Sequence, residues 1–394
     1  MPPDTDVAII GAGLAGLSIA SWLVDIIPPY KSAPRVHLIE ARKEDINDRT
    51  WCFWDQQPHP FREAISHRWP RWQVRFGSEF VEREDAEHCY ALLSASDMRR
   101  SAYSAMATRP EFDITRGVDV GKISPQDDDL HIATSQGGLT SRLVIDTRPP
   151  KASMLTSHDG VWQIFHGVEV HSPNHGFSPS TACLMDFQNG FSGVNFVYLL
   201  PLDDHRLLAE WTCFHVDKTH PGCQQLLSQQ IPSQLSGWLN QQVGNQWTLL
   251  RQETGCLPMI PLVPPSINSR YLAAGIRGGW MRPATGYMFA SCQRGAADVA
   301  RQVYQASETG RWQLTPPRLR SPTLEWMDKV FLLALRQSPE QVPNWFMQLF
   351  EHTSAIEQRR FLGDEPRLGD LLAIMRGLPA WPFLRAAIRL ARNA

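Results

Sequence analysis

The sequence predicts a mixed α/β fold: a parallel βαβ unit at the N-terminus, an antiparallel β-sheet in the middle of the chain, and a helical region behind it. Three observations predict it. Residues 6–40 run as a short apolar strand, a turn with glycines, an apolar helix and a second apolar strand. Between Trp72 and Phe214, several short runs alternate apolar with polar residues or stay apolar, as strands do. From Thr323 to the end the chain reads as helix, broken at Pro339, Pro343, Pro366, Pro379 and Pro382.

The N-terminal unit comes first. In DVAIIGAGLAGLSIASWL, Asp6–Ile10 form a buried strand, Gly11, Gly13 and Gly16 the tight turn, and Leu14 onward a helix that Pro28 and Pro29 stop. RVHLIEA follows as the second strand, with Glu40 near its end. Glycines between strand and helix, with an acid about twenty residues on, form a dinucleotide-binding fingerprint. Gly11 permits the turn, Gly13 lets a pyrophosphate approach the backbone, and Gly16 lets helix and strand pack closely. The helix N-terminus offers its N–H groups to the phosphates, and Glu40 accepts from the ribose hydroxyls. The apolar run Val7–Ile27 is long enough to suggest a signal anchor. Asp4 and Asp6 precede it and Asp25 sits near its end, so it is expected to be buried core rather than a membrane span.

Bulk composition narrows the function classes. A chain of 394 residues is expected to hold two or three substructures. Charged residues make up 20% and the net charge is −2, which gives no electrostatic case for nucleic acid. Seven scattered cysteines without a CxxC pair argue against a disulfide framework or zinc site and fit a reducing cytosol. His166, His171 and His175 have no acid–histidine pattern beside them and read as surface or loop residues, not metal ligands. Fourteen tryptophans can supply apolar walls for a large greasy ligand or a membrane interface, or fill an aromatic core.

The middle of the chain reads as β. Strands are expected at Trp72–Phe80, Leu130–Thr134, 141–148 (ending with Asp146 and Arg148), Leu184–Phe187, Asn195–Pro201 and Arg206–Phe214. A short strand at Tyr271–Gly275 leads into a glycine-rich turn, and Ala290–Tyr304 reads as a helix. The stretch RLLAEWTCF, residues 206–214, poses a specific question, because Glu210 sits inside an apolar strand. A buried carboxylate faces water, has a partner or holds a proton. With successive strand residues on opposite faces, Glu210 and Thr212 share one face and Trp211 takes the other. At the C-terminus, five arginines against one Asp in residues 366–394 mix with Leu384, Ile388 and Leu390, a basic amphipathic pattern suited to an anionic lipid surface or to packing on the chain's own domain.

Several motifs in order carry a resemblance. After the glycine fingerprint come TWCFWD (50–55), YALLSASDMRR (90–100), VIDTRP (144–149), ACLMDF (182–187), FVYLLPL followed by LLAEWT, and RPATGYMF (282–289). Together with the tail RRFLGDEPRLGDLLAIMRGLPAWPFLRA, they resemble the bacterial lycopene β-cyclases, flavoproteins of carotenoid biosynthesis, over nearly the whole chain. The resemblance implies the fold of the aromatic hydroxylases and geranylgeranyl reductases. It implies a discontinuous Rossmann-like FAD-binding domain (1–60, 90–150 and 255–310), an inserted antiparallel substrate-binding sheet (61–89 and 151–254) and a helical region (311–394). It also implies acid-initiated cyclisation of the ψ end groups of lycopene, through γ-carotene to β-carotene, with no net redox change. Reduced FAD stabilises the cation, with NAD(P)H as reductant, in a cytoplasmic protein peripheral on the inner membrane face.

Site residues follow from the same resemblance. Glu210 matches the first acid of the family's acidic pair, the proposed proton donor or cation-stabilising group, and Thr212 the following threonine. Trp211 replaces the second acid, and Trp54 stands where the family usually has His. Asp186 is a second candidate acid, for proton abstraction or for orienting Glu210. Gly278 and Gly279, with Pro283, Thr285 and Gly286, are expected beside the flavin, and Trp51, Trp54, Trp211, Thr212 and Tyr287 along the polyene. Two rivals stay open. One is a flavin monooxygenase, whose usual DG and GDA-type segments are replaced here by VIDTRPP and AAGIRGGWM. The other is a related cyclase of another prenyl or polyene substrate. A catalytically silent carotenoid- or flavin-binding protein is a third possibility from a different class.

Overall fold

A computed structural model describes residues 3–393, apart from 29–30, 32, 152–153, 156–159, 191–192 and 216–225. Three sheets organise it. The first runs β8 (Phe112–Arg116), β2 (Val36–Glu40), β1 (Thr5–Ile10), β11 (Gly137–Asp146), β10 (Asp129–Thr134), β9 (Val120–Gln126), and β17 (Tyr271–Ala273) pairs with the end of β11. Its β8-β2-β1-β11 core and β17 are parallel, and the β11-β10-β9 meander is antiparallel. Helix α1 (Leu14–Ile26) packs on it with α2 (Ala95–Met106) and α4 (Phe289–Thr309). The N-terminal apolar run is therefore a strand and a core helix, with Val7, Ile9, Leu17 and Leu23 fully buried.

The second sheet runs β16 (Thr248–Met259), β12 (Val161–His171), β15 (Arg206–His215), β14 (Val194–Pro201), β13 (Thr181–Gln188), β5 (Arg71–Phe76), β6 (Glu79–Glu84). It is antiparallel except for the parallel β13–β5 pair. The strand expected at Trp72–Phe80 is instead a hairpin, because Gly77 at φ +62° turns the chain back. β12 and β16, not anticipated in the sequence, complete the sheet beside β15. The expected boundary between residues 254 and 255 falls inside β16, whose pairing with β12 continues to Met259.

Helix α3 (Ile231–Val243) covers one face of this sheet, burying Trp238 with Trp162, Trp211 and Val197. The other face looks toward the third sheet, β3 (Thr50–Trp54), β7 (Tyr90–Ser94) and β4 (His67–Trp69), and toward the C-terminal helices. Those helices are α5 (Pro322–Gln337), α6 (Val342–His352), α7 (Ala355–Leu362), α8 (Leu368–Gly377) and α9 (Ala380–Asn393). Of the three histidines expected at the surface or in loops, His171 is exposed. His166 lies half-buried in β12, and His175 is buried in a loop with its Nε2 2.6 Å from the Asp203 carbonyl.

One buried ion cluster fixes the helical region to the rest. Arg282 is 1% exposed and donates to both carboxylate oxygens of Asp328 at 2.9–3.1 Å, and to Asp364. Replacing the arginine leaves acids in a dry interior without it, which costs far more than an exposed ion pair would. Arg282→Met is expected to lower unfolding stability by about 3–5 kcal/mol, measured from urea midpoints. A change within about 1 kcal/mol, the size of an exposed pair, would remove the cluster from this role.

Candidate active site

Two loops meet at the carboxyl ends of the parallel strands, where open α/β sheets bind ligands. Gly11 has φ +99°, and a Cβ there would lie 2.6 Å from Thr147 Oγ1. A Cβ on Gly16 would lie 1.9 Å from the Gly11 carbonyl oxygen, so only glycine lets α1 pack so closely on the turn. Around Gly13, by contrast, a Cβ would meet nothing within 4 Å, and no side chain caps the start of α1. The first N–H groups of the helix thus face an open cradle, which fits a pyrophosphate. Glu40 reaches this turn: its carboxylate accepts from the Ala12 N–H at 2.6 Å and the Arg42 N–H at 2.9 Å.

The second loop, residues 274–288, follows β17. The missing Cβ of Gly275 would stand 3.3 Å from Ala15 at the start of α1, which joins the two loops. Gly278 has no room for a side chain, since a Cβ would sit 2.4 Å from the Ala273 carbonyl oxygen; Gly279 and Gly286 both have φ +72°. A Cβ on Gly286 would lie 2.3 Å from Gln163 Oε1 on β12, so this loop also touches the second sheet. Thr285 accepts from the Tyr287 N–H, and half-buried Pro283 follows Arg282. Beneath the loop Asp146 is fully buried and accepts from Arg148, Arg277 and Tyr271. Burial would raise its carboxyl, but the two guanidinium groups outweigh that and hold it below the usual range.

Among the described residues, Glu210 meets no such cation. It sits on the face of the second sheet that looks toward β3, in a row formed by Tyr198 of β14, Glu210 of β15, Gly167 of β12 and Glu253 of β16. It is 9% exposed and accepts from the Thr212 hydroxyl at 2.8 Å. Burial, reinforced by the nearby Glu253, pushes its carboxyl up to about 8, against the pull of the Thr212 hydroxyl. That answers the question raised by the strand: Glu210 holds its proton near neutral pH.

Polar and aromatic groups from β3, β7 and the second loop close over this row. Cys52 lies beside Tyr198, and Thr50 donates to Glu253 at 2.8 Å. The Tyr90 hydroxyl is 2.8 Å from that of Tyr198 and 3.0 Å from that of Tyr287, so one chain of hydroxyls runs from the second loop to the neighbour of Glu210. Trp54 packs against Tyr90 and Tyr287. Thr212 bonds Glu210 directly, whereas Trp54 and Tyr287 connect to it only through Tyr90 and Tyr198.

Three expected site residues lie elsewhere. Asp186 pairs with Val197, which pairs with Trp211, so it is on the opposite face of the sheet, beside Trp238. It cannot orient Glu210. Trp211 is 2% exposed in the core under α3, with its Nε1 3.3 Å from Asn195 Oδ1, and does not line the face of Glu210. Trp51 points from β3 into the core of the first sheet, away from Thr50 and Cys52. Sequence reasoning missed Glu253, Tyr90 and Tyr198. Tyr198 could have been found, since it alternates in phase along a recognised strand.

An apolar cavity of about 320 Å³ opens between the second loop and the C-terminal helices. Ala284 and Thr285 line one side, and Trp326, Phe331, Phe383 and Leu384 much of the rest.

Residues 6–388 match the family described as lycopene cyclase protein. The chain belongs to the lycopene cyclase family. Among solved structures, a geranylgeranyl bacteriochlorophyll reductase-like protein from Thermoplasma acidophilum is similar at TM-score 0.68 and 11% identity, over 99% of each chain. A flavoprotein/dehydrogenase from Cytophaga hutchinsonii is similar at TM-score 0.64 and 10% identity, over 99% of this chain and 100% of that one. The p-nitrophenol 4-monooxygenase PnpA from Pseudomonas putida DLL-E4 is similar at 0.57 and 12%, over 99% and 98%. At such identities the likeness shows the fold, and it is the hydroxylase and reductase fold expected for the family. The chain matches no curated protein in sequence.

The raised Glu210 carboxyl makes stability depend on pH. Unfolded, a glutamate ionises around 4.5, whereas the folded chain keeps this proton up to about 8. Between those values the folded state binds the extra proton, so stability falls as pH rises and levels off above pH 8. Glu210→Gln removes that term. Its Tm relative to wild type is expected to rise from pH 5 to pH 9, by on the order of 5 °C. A pH-independent difference would show that Glu210 ionises normally.

Proposed function

We propose that the chain is a lycopene β-cyclase in which Glu210 is the acid. The observation that carries this reading is a buried carboxyl group held neutral, with no cationic partner among the described residues, in a member of this family. The Glu210 O–H bond breaks as its proton adds to the terminal double bond of a ψ end group. The neighbouring double bond attacks the tertiary cation and closes the ring. Loss of a ring proton gives the β-ionone ring, so one proton enters, one leaves, and nothing is oxidised. After transfer the Glu210 carboxylate faces the cation, and the rings of Tyr90, Tyr287 and Trp54 offer π faces to it.

The residues of the first sheet suit FAD. Gly11, Gly13, Gly16 and the start of α1 would hold the pyrophosphate, Glu40 the ribose, and the loop carrying Gly278, Gly279 and Gly286 would lie by the ring. When bound and reduced, with NAD(P)H as electron source, the flavin supplies negative charge that steadies a cation. The first sheet then serves as the FAD part, and the second sheet with the C-terminal helices as the substrate part.

The apolar cavity suits the polyene, and its rim suits a membrane. Trp326, Met375 and Leu384 line the cavity and are also 49–51% exposed, which places its mouth at the surface. Leu368, Leu372, Trp381 and Ile388 of α8 and α9 extend that apolar surface, and Arg385, Arg389 and Arg392 are exposed alongside. No single described helix is long and apolar enough to cross a membrane, and α8 and α9 meet at a 115° bend. Lying on the cytoplasmic face, this pair would open the cavity toward lipid-dissolved substrate.

Pigment analysis tests the chemistry. Lycopene-accumulating bacteria expressing the wild type are expected to make β-carotene, and those expressing Glu210→Gln to keep lycopene, with turnover reduced at least about 100-fold. Full conversion by the variant would return Glu210 to an ordinary strand acid. For the membrane contact, wild-type protein is expected to float with anionic liposomes, and Trp381→Glu with Leu384→Glu to abolish that. Equal recovery in the absence of lipid binding by wild type would rule the contact out.

A further inference from the structure

A cyclisation that takes one proton from the protein must also give one up. The row that holds Glu210 contains a second acid. Glu253 is 5% exposed and lies on the same face, one strand beyond Gly167. Its Oε2 accepts from Thr50 and from Arg251, each at 2.8 Å, while Arg251 also donates to Glu169. Both bonds fall on Oε2, leaving Oε1 uncommitted among the described bonds. Glycine separates the two acids: a Cβ at Gly167 would stand 3.3 Å from Glu253 Cγ and 3.4 Å from Glu210 Cβ. With no side chain on Gly167, both acid side chains close in over its backbone, which brings the two acids together. Gly167 has ordinary strand dihedrals, so the turn chemistry that explains other glycines does not explain this one.

We propose that Glu253 is the base that removes the ring proton, with Gly167 letting it stand close to Glu210. This rests on the cyclase reading above. The C–H bond adjacent to the ring cation breaks, its electron pair forms the ring double bond, and the proton goes to Glu253 Oε1. Such a C–H is acidic enough that an arginine-paired carboxylate suffices as acceptor. Each cyclisation leaves Glu210 ionised and Glu253 protonated, and the return of one proton from Glu253 to Glu210 restores the pair. Two neighbouring acids in unlike surroundings divide acid and base work in this way elsewhere. A base fixed to one side of the ring also selects which proton leaves, and hence where the double bond falls.

The test is ring composition from lycopene in flavin-loaded enzyme. Glu253→Gln is expected to slow conversion by about 100-fold and to place part of the double bonds in ε or exocyclic positions. Glu253→Asp is expected to restore β rings. Gly167→Val, which pushes against both acid side chains without removing either, is expected to slow cyclisation while flavin content stays normal. β rings alone at the wild-type rate from Glu253→Gln or Gly167→Val overturn the proposal. A slower Glu253→Gln with unchanged ring type and no rescue by Asp also overturns it, leaving Glu253 an anchor for Arg251. Wild type that leaves lycopene untouched would overturn the cyclase reading and this inference together, whereas the other outcomes bear on Glu253 alone.

Discussion

One uncompensated carboxyl group sets the terms for the rest of the molecule. Several acids are buried here, and most are met by arginine: Asp146 by Arg148 and Arg277, Asp328 by Arg282, Glu253 by Arg251. Attraction to a cation a few ångströms away in a poorly polarisable interior can exceed the cost of burying the charge, and it holds Asp146 below the usual carboxylate range. Glu210 is offered a hydroxyl and a second negative group instead. One hydrogen bond, about 1–3 kcal/mol when it involves a charge, does not offset removal from water, so the proton stays. Neutrality at Glu210 thus comes from what the strands on either side withhold.

The position of β15 makes this possible. It lies between β12 and β14, so its backbone is satisfied on both edges and its side chains alternate between two dry faces. Leu208, Glu210 and Thr212 share the face under β3, while Ala209, Trp211 and Cys213 pack under α3. Trp211 therefore has the role of a core residue. Filling that face rigidly holds the strand, and with it Glu210, against the third sheet.

Sequence carried the local parts of this arrangement and lost the non-local ones. The βαβ unit was legible because glycine turn, strand and helix are each specified within a few residues. So was the parity of Glu210, Trp211 and Thr212, because alternation within one strand needs no knowledge of its neighbours. Asp186 was misplaced because its face depends on how β13 pairs with β14, and a bulge between Cys183 and Asp186 shifts that pairing. β12 and β16 were missed because VWQIFHGVEVH breaks its pattern at His166 and Gly167, and TLLRQETGCLPM is an edge strand with charges and a proline. Glu253 could not be linked to Glu210 without them, since the acids are 43 residues apart and meet only through a glycine on a third strand.

The two sheets create opposite electrostatic conditions a short distance apart. At the ends of the parallel strands, helix α1 presents unpaired N–H groups and Arg148 and Arg277 neutralise the one buried acid, so an anionic ligand is favoured. On the face of the second sheet, aromatic side chains close over a buried neutral acid and disfavour bulk water. The proposed acid-initiated alkene chemistry would use the second environment to form a cation, and an anion held by the first would steady it. The loop from Gly275 to Tyr287 touches both, through Ala15 at one end and through Gln163 and Tyr90 at the other. A single loop of about a dozen residues therefore sets the distance between anion site and acid, which explains why its glycines admit no side chain where it turns against Ala273 and Gln163.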